Sequence, residues 1–249
     1  MARCELTFAE RLPIDHVRAL AQHRDYCAAL EARGLEVLRL PADEDFPDCC
    51  FVEDAAIVLD ELAVLARPGA ASRRGELAAV EAALAPYRRI QRIEAPATLD
   101  GGDVLQVARR LYVGVGTRTS ADGAAALARI AEPLGYEVVP VRVTGCLHLK
   151  SAVTALDDET LLANPALLDP APLRPHRILD VAPEEPAAAN VLRLDGAIWA
   201  HPGFPRTLER LERAGYSVSP VDVSEFLKAE AALTCKSLLF RKTTASPSR

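Results

Sequence analysis

The fold is decided by a unit whose clearest copy reads Val104-Leu105-Gln106-Val107-Ala108-Arg109-Arg110-Leu111-Tyr112-Val113-Gly114-Val115. Two short apolar runs flank the polar pair Arg109-Arg110, a pattern that predicts a β-hairpin. Apolar residues then follow at helical spacing over 123–134. The phrase Gly135-Tyr136-Glu137-Val138 predicts the end of that helix and the start of a third strand, because glycine readily forms a left-handed cap.

The same order of strand, strand, helix and strand recurs along the chain. Further hairpins are predicted at 55–59 with 63–66, 153–156 with 160–163, and 191–194 with 197–200. Helical spacing recurs at 76–85 and 206–214, and a weak helix is expected at 165–168 in a proline-rich stretch. The glycine phrase returns as Gly34-Leu35-Glu36-Val37 and Gly215-Tyr216-Ser217-Val218. The sequence therefore predicts four complete units.

A divided fifth unit is predicted from the two ends of the chain. It would combine a strand at 237–240, a helix at 15–32 and a strand at 36–40, and it lacks one strand. Repeats of this size indicate a closed or stacked array, and joining the ends in one unit would remove exposed strand edges. We expect an α/β protein with a single domain over residues 1–249. A form extended upstream by roughly 10–20 residues, about one strand and a turn, is expected to be more stable.

Composition limits the classes of function. Half of the 249 residues are hydrophobic and 26% are charged, as in soluble globular proteins. No apolar run reaches the roughly 18 residues of a membrane span, and no signal peptide is evident. The net charge of -6 argues against a nucleic-acid partner, and we expect a cytoplasmic protein. The six cysteines include no Cys-x-x-Cys pair, which argues against a structural metal site.

Two segments contain residues suited to nucleophilic chemistry. One is Leu233-Thr234-Cys235-Lys236, and the other is Gly145-Cys146-Leu147-His148. A thiolate attacks electrophilic carbon, and an imidazole transfers the protons. A third segment, Thr98-Leu99-Asp100-Gly101-Gly102-Asp103, places carboxylates beside glycines that permit close approach. Asp103 is expected to be a structural carboxylate. Only the fold can bring these segments together.

These motifs, with the repeat, resemble the dimethylarginine dimethylaminohydrolases, which belong to the guanidino-modifying pentein superfamily. The resemblance covers nearly the whole chain, and the order and spacing of its phrases are specific. The matching phrases are Leu40-Pro41-Ala42-Asp43, Pro47-Asp48-Cys49, Phe51-Val52-Glu53-Asp54, Arg67-Pro68-Gly69-Ala70, Ser72-Arg73-Arg74, Leu99 to Asp103, Arg118-Thr119, His148-Leu149-Lys150, Ala188-Ala189-Asn190 and Thr234-Cys235. The resemblance implies a five-bladed α/β propeller with pseudo-fivefold symmetry, here with its first strand missing.

The resemblance also implies an activity: hydrolysis of Nω-methylated arginines to citrulline and methylamines through a thiouronium on cysteine. Cys235 would be the nucleophile, His148 the general acid and base, and Asp100 the carboxylate that orients this histidine. Substrate contacts would come from Glu53 and Asp54 to the guanidinium, Asp48 to the α-amine, Arg73 and Arg118 to the carboxylate, Leu6 in the lid loop, and the backbone of Ala229. Carboxylates suit a planar cation, and arginines suit a carboxylate. No cofactor or metal is implied.

Alternatives to this activity stay open on the sequence. One is a related guanidino or ureido hydrolase resembling the arginine deiminases, which are typically longer. The other is a guanidino-binding protein with impaired or no catalysis, against which the presence of Cys235, His148, Glu53 and Asp54 together argues. We expect a small-molecule substrate and no membrane partner, with a homodimer left open. Lys236 differs from the residues common in the family; a strand would turn it away from Cys235, so we expect little effect on the thiol.

Overall fold

Four three-stranded sheets follow one another along the chain in the computed structural model, which describes residue 1 and residues 3–242. In each sheet two antiparallel strands form a hairpin, and a third strand runs parallel to the hairpin's second strand, which is therefore central. The strands are β1 Ala56–Val58, β2 Leu62–Leu65, β3 Arg89–Arg92, β4 Val104–Val107, β5 Arg110–Val115, β6 Glu137–Arg142, β7 Val153–Ala155, β8 Thr160–Ala163, β9 Arg177–Asp180, β10 Leu192–Leu194, β11 Ala197–Ala200 and β12 Ser217–Pro220. All four predicted hairpins are confirmed, with boundaries that differ by a few residues.

Helices precede or connect these strands. They are α1 His16–Ala32, α2 Leu77–Leu84, α3 Ala121–Ala131, α4 Leu149–Ala152, α5 Pro205–Arg213 and α6 Ser224–Leu227. The Asp15 carboxylate caps α1 by accepting a hydrogen bond of 3.0 Å from the Arg18 amide. Gly34, Gly135 and Gly215 have φ values of 79°, 85° and 92°, so the predicted left-handed turns are confirmed. Among the described residues, no helix is long and apolar enough to cross a bilayer.

Two local predictions were wrong. The stretch at 165–168 contains a 3₁₀ turn, Pro165–Leu167, because proline cannot continue a helical hydrogen-bond ladder. The segments 36–40 and 237–240 form no strand. In the four sheets the second strand of each unit is central and hydrogen-bonds to the strands on both sides. No described residue supplies such a central strand in the predicted fifth unit. Without it, the two outer segments have no adjacent backbone to pair with. The sheets are consistent with a propeller-like arrangement, whereas five blades stay a prediction.

The core consists of apolar clusters between successive units. Leu62 packs with Leu111 between the first and second sheets, and further clusters join the second sheet to the third and the third to the fourth. Trp199 of the fourth sheet packs with Tyr26 of α1, at a ring distance of 6.0 Å. Leu238 belongs to a cluster with side chains of the first sheet. The two ends of the described chain therefore pack between the last sheet and the first.

A short helical turn precedes the first strand of several units. Val52–Ala55 leads into β1, Gly101–Asp103 into β4, and α4 into β7. Thr234–Lys236 stands at the equivalent place before the segment 237–240. The first of these turns contacts both the second and the last, and α4 contacts the second. The repeat therefore brings residues from distant parts of the sequence to one place.

Candidate active site

A cavity of about 20 Å³ lies where these turns meet. Seven of the predicted site residues line it: Asp48, Asp54, Arg73, Arg118, His148, Ala229 and Cys235. Sequence reasoning gave no site role to the other lining residues, Glu5, Phe51, Leu147, Glu230 and Ala231. Of the three remaining predicted residues, Glu53 and Asp100 lie behind the lining, and Leu6 is half-buried in the apolar cluster that contains Cys235. The cavity has room for about one water molecule.

His148 is held between two carboxylates. Its Nε2 lies 3.0 Å from Asp100 Oδ2, and its Nδ1 lies 3.7 Å from Asp54 Oδ1. Burial alone would lower the pKa of His148, but Asp54 and the hydrogen bond with Asp100, helped by Asp103, raise it to about 9. The imidazole therefore carries a proton at neutral pH. Such a group can act first as a general acid.

The carboxylates around His148 are themselves fixed by backbone hydrogen bonds. Asp100 Oδ1 accepts from the Gly69 amide at 2.8 Å. Asp103 accepts from the Leu149 amide at 2.8 Å and from the Thr119 hydroxyl at 2.6 Å. Burial raises the pKa of Asp103 to about 6. These hydrogen bonds agree with the structural role expected for this aspartate and fix the residue that follows His148.

Gly102 makes the close packing of this group geometrically feasible. A Cβ atom at this position would lie 2.5 Å from Asp54 Oδ1 and 2.7 Å from His148 Nδ1. The Gly102 amide donates to Asp54 Oδ1 at 3.0 Å. Any side chain here would displace the histidine or the aspartate, so the sequence needs glycine for close approach.

Asp54 and Arg73 form a buried ion pair with an N–O distance of 2.5 Å. Burial alone would raise the pKa of Asp54, but His148 and Arg73 outweigh it and hold the pKa at about 2. Arg73 also binds Glu76 at 2.8 Å and donates to the carbonyl oxygens of Asp48 and Phe51. Most of its donors are therefore engaged within the protein. Its predicted contact with a substrate carboxylate stays a prediction, and its observed contacts fix the Asp54 carboxylate.

Glu53 is held by partners that sequence reasoning missed. Its two carboxylate oxygens accept from Lys150 Nζ at 2.6 Å and from the Thr234 hydroxyl at 2.7 Å. The Asn190 side chain donates to Thr234 Oγ1 at 2.9 Å and accepts from the Thr234 amide at 3.1 Å. All three missed partners lie within motifs quoted above. Their polar side chains beside predicted site residues were the available signal, but nothing in the sequence gives the pairing.

Cys235 lies within the turn Thr234–Lys236. Its sulfur accepts a hydrogen bond of 3.4 Å from the Ala232 amide. Burial, with Glu53 and Asp54 nearby, raises the pKa of the Cys235 thiol to about 12. At neutral pH the Cys235 side chain is therefore a protonated thiol. The strand prediction that turned Lys236 away from Cys235 was wrong, because a 3₁₀ turn does not alternate its side chains between two faces.

The N-terminal segment closes the entrance to the cavity. Asp48 accepts from the Glu5 amide at 3.0 Å, and the Thr7 hydroxyl lies 3.2 Å from Arg118 Nη2. The Glu230 carboxylate accepts from three successive amides, those of Thr7 at 2.8 Å, Phe8 at 2.5 Å and Ala9. Ligand pockets usually span about 300–1,000 Å³, so this segment must move to admit an amino acid.

Asp54, Asp100 and His148 are the one group among the described residues whose ligand atoms lie close enough together to hold a metal ion, within 4.8 Å of one another. Their atoms already have protein partners: His148 pairs with Asp100, and Asp54 pairs with Arg73. This donor set suits proton transfer and the binding of a cation, which are the roles the sequence predicted.

Comparison with known proteins first gives the broad class. The arginine deiminase family model matches residues 44–194, which include every turn of the site except that of Cys235. The N-terminal domain of ArgZ, an arginine dihydrolase, shares the fold with a TM-score of 0.82 at 23% identity, covering 90% of this chain and 87% of that one. The chain is therefore an amidine hydrolase by family, acting on a carbon–nitrogen bond.

More similar relatives narrow the family. The dimethylarginine dimethylaminohydrolase of Streptomyces coelicolor is 44% identical and covers 95% of this chain and 92% of its own length. The dimethylarginine dimethylaminohydrolase of Pseudomonas aeruginosa is 36% identical, and the match covers 91% of this chain and 90% of that enzyme. A solved variant of the Pseudomonas aeruginosa enzyme in complex with citrulline has a TM-score of 0.87, covering 94% of this chain and 93% of that one at 35% identity. The chain belongs to the dimethylarginine dimethylaminohydrolase family.

Proposed function

We propose that the protein hydrolyses Nω-methylated arginines to citrulline and methylamines, with Cys235 as the nucleophile and His148 as the proton carrier. The observation that carries the proposal is the shared cavity. Cys235, His148 and Asp54 line it together, so a thiol, an imidazolium and an anion for a cationic substrate face one space. A cysteine with a positioned acid and base is the usual arrangement for covalent catalysis at such a carbon.

The first half of the reaction uses His148 as an acid. The cationic guanidinium beside Asp54 and Glu53 would favour release of the Cys235 proton to solvent water, because opposite charges lower a thiol pKa. The Cys235 sulfur then forms a bond to the guanidinium carbon. His148 donates its proton to the methylated nitrogen, the carbon–nitrogen bond breaks, and the amine leaves. A thiouronium remains on Cys235.

The second half returns the enzyme to its starting state. His148, now neutral, accepts a proton from a water molecule whose oxygen attacks the same carbon. The carbon–sulfur bond breaks with its electron pair on sulfur, the remaining hydroxyl proton of the former water passes to that sulfur, and neutral citrulline is released. Asp100, 3.0 Å from the other ring nitrogen, orients the imidazole throughout.

The two ends of the substrate require opposite charges. Asp48 suits the α-amine and Arg118 the α-carboxylate, and both line the cavity. Arg118 donates to a hydroxyl that the N-terminal segment provides, a contact that an entering carboxylate can replace. Ala229 lies in the lining with its backbone available as a further contact, and Leu6 belongs to the segment that covers the site.

Citrulline production tests the proposal directly. Dimethylarginine, monomethylarginine and arginine are each incubated with the protein, and citrulline and amine are measured. We expect turnover of the methylated substrates, its loss in Cys235→Ser, and its retention in Cys27→Ser, which changes another buried cysteine in α1. A covalent adduct on a different cysteine, or activity in Cys235→Ser above a few per cent, would contradict the assignment. Preferential turnover of unmethylated arginine would favour the arginine deiminase-like alternative.

Two finer predictions belong to the same proposal. A reducing cytoplasm suits a catalytic thiol, and fractionation of the source cells followed by immunoblotting locates the protein. A homodimer is expected to sediment at twice the mass of 26.8 kDa in analytical ultracentrifugation.

A further inference from the structure

Lys236 is a buried cation with an unusual set of partners. Its side chain is buried, and its Nζ donates to the Ala232 carbonyl oxygen at 2.6 Å. The same nitrogen lies 4.7 Å from the centre of the Tyr26 ring and 4.9 Å from the centre of the Phe226 ring. Aromatic faces and a carbonyl oxygen attract an ammonium group, but none of them carries a full negative charge.

No carboxylate lies within ion-pair distance of Lys236 in the part of the chain that the structure describes. The nearby buried anions already have cations of their own. Glu53 pairs with Lys150 at 2.6 Å, and Asp54 pairs with Arg73 at 2.5 Å. Among the ionisable groups that act on Lys236, which also include Glu53, Cys27 and Cys50, the sulfur of the adjacent Cys235 acts most strongly.

Lys236 also fixes the geometry around that sulfur. Ala232 accepts from Lys236 through its carbonyl oxygen, while the Ala232 amide donates to Cys235 Sγ at 3.4 Å. The aromatic rings belong to α1 and α6, so the lysine ties the nucleophile's turn to two helices. Losing it would loosen the amide that faces the thiolate.

From this arrangement we infer that Lys236 is a positioning residue for Cys235: it pins the turn that carries the nucleophile and supplies the fixed positive charge against which the thiolate forms. The inference deepens the proposed function and rests on the role proposed there for Cys235. It reverses the expectation from sequence that this lysine has little effect on the thiol.

The charged and titratable groups around the pair come from several elements. Glu53 and Asp54 reach Cys235 from the turn before β1, and His148 shares its cavity; Cys27 of α1 and Cys50 act on Lys236. Burial lowers the pKa of Lys236 to about 8, so the lysine is charged at neutral pH. At an effective dielectric constant of about 20, the interaction between two neighbouring unit charges shifts the pKa of each group by more than one pH unit.

The pH dependence of Cys235 alkylation tests the inference without any substrate. Iodoacetamide labelling is followed by peptide mass spectrometry from about pH 6 to about pH 7.5, where Lys236 is charged and the labelling rate is proportional to the small thiolate fraction. Lys236→Met removes both charge and donor, Lys236→Gln removes the charge but keeps a donor for Ala232, and Lys242→Met removes an exposed lysine that also lies over a ring, that of Tyr87. Opening of the N-terminal segment scales the rate in every variant, so hydrogen exchange of the Thr7 and Phe8 amides is measured in each variant and the rates are compared per open molecule.

We expect the alkylation rate per open molecule at about pH 7 to fall about tenfold or more in both Lys236 variants, as expected for a pKa of Cys235 that is higher by about one pH unit, and to stay unchanged in Lys242→Met. An unchanged rate in Lys236→Gln would overturn the inference, since the charge would then have no effect. If citrulline forms in the wild type and Cys235→Ser abolishes it while the rate does not fall in the Lys236 variants, this inference alone fails. If the rate falls but no citrulline forms, the proposed function alone fails.

A measurement on the wild-type protein covers the case in which neither Lys236 variant folds. Lysine labelled with ¹³C at the ε position reports the titration of Lys236 by NMR, whose midpoint we expect at about pH 8. Below that pH the alkylation rate of Cys235 should rise about tenfold per pH unit, and the rise should flatten through the Lys236 titration, because the thiolate loses its counter-ion as Lys236 loses its proton. An alkylation rate that keeps rising tenfold per pH unit through the Lys236 titration would overturn the inference.

Discussion

Replacing Asp100 with asparagine should lower the pKa of His148 with little change in shape. The carboxylate oxygen of Asp100 lies 3.0 Å from His148 Nε2, and an asparagine oxygen can occupy the same place without the charge. Asp54, at 3.7 Å from the other ring nitrogen, would remain as a full negative charge beside His148. We expect the pKa of His148 to fall from about 9 by about one to two units.

This change has a definite sign in the pH dependence of stability. In the wild type the folded-state pKa of His148, about 9, exceeds the unfolded value of about 6.5. The bound proton therefore stabilises the fold fully below about pH 6.5, by about 3 kcal/mol, and this contribution is lost as pH rises through about 9. In Asp100→Asn the contribution from His148 should be smaller by about 1.4–2.7 kcal/mol and should be lost at lower pH.

Two measurements check this prediction. NMR of ¹⁵N-histidine gives the His148 titration, and urea unfolding at about pH 6 and about pH 9.5 gives the free energy difference between them. Asp222→Asn is the matched control, because Asp222 lies 3.7 Å from the ring of another histidine, His201. A His148 pKa that is equal in the wild type and in Asp100→Asn would refute the electrostatic account of this site.

Four further predictions concern the other groups of the site. Gly102→Ala should lower kcat/KM at least about 100-fold, because the added methyl group displaces His148. Gly116→Ala is the control, since its Cβ would meet its neighbours at 3.6 Å and should leave kcat/KM unchanged; equal effects of the two substitutions would show that the close approach at Gly102 is unimportant. Lys150→Met should lower the free energy of unfolding in urea by about 3 kcal/mol, because it leaves a buried carboxylate unpaired; a loss below about 1 kcal/mol would contradict this. Arg118→Ala should raise KM for dimethylarginine about 30-fold or more but leave a decarboxylated analogue unchanged, and equal losses on both would remove Arg118 from the carboxylate site. Glu230→Gln should speed alkylation of Cys235 about fivefold by weakening the closure of the N-terminal segment, and an unchanged rate would show that Glu230 does not hold it.

The repeat and the site motifs were readable from sequence because each depends on short segments. A hairpin or a glycine cap is decided by a few adjacent residues, and the four hairpins were found for that reason. Cys235, His148 and Asp54 meet in one cavity as their motifs implied. The fifth unit could not be read in the same way. The segments 36–40 and 237–240 have strand-like composition, but strands need a neighbouring backbone, and that requirement is not local.

Pairings between distant side chains were the other part that sequence did not give. Lys150 and Glu53 are separated by 97 positions, and either could have faced the substrate. Arg73 pairs with Asp54 and Glu76, contacts that the sequence did not give, and its role at a substrate carboxylate stays a prediction. Lys236 was misjudged because its neighbourhood was read as a strand. In each case a charged side chain had several available partners, and only the tertiary structure selects among them.

Because several units place site residues in the turn before their first strand, the sheets and the site can change separately. An altered turn before β4 would change the carboxylates around His148, and an altered turn at Thr234–Lys236 would change the surroundings of Cys235, while the sheets keep their own residues. Enzymes of this fold can therefore differ in one active-site residue while their sheets stay the same. The opposite tips of the hairpins, such as Asp195-Gly196, lie outside all of these turns, and insertions there should lengthen the protein without altering its reaction.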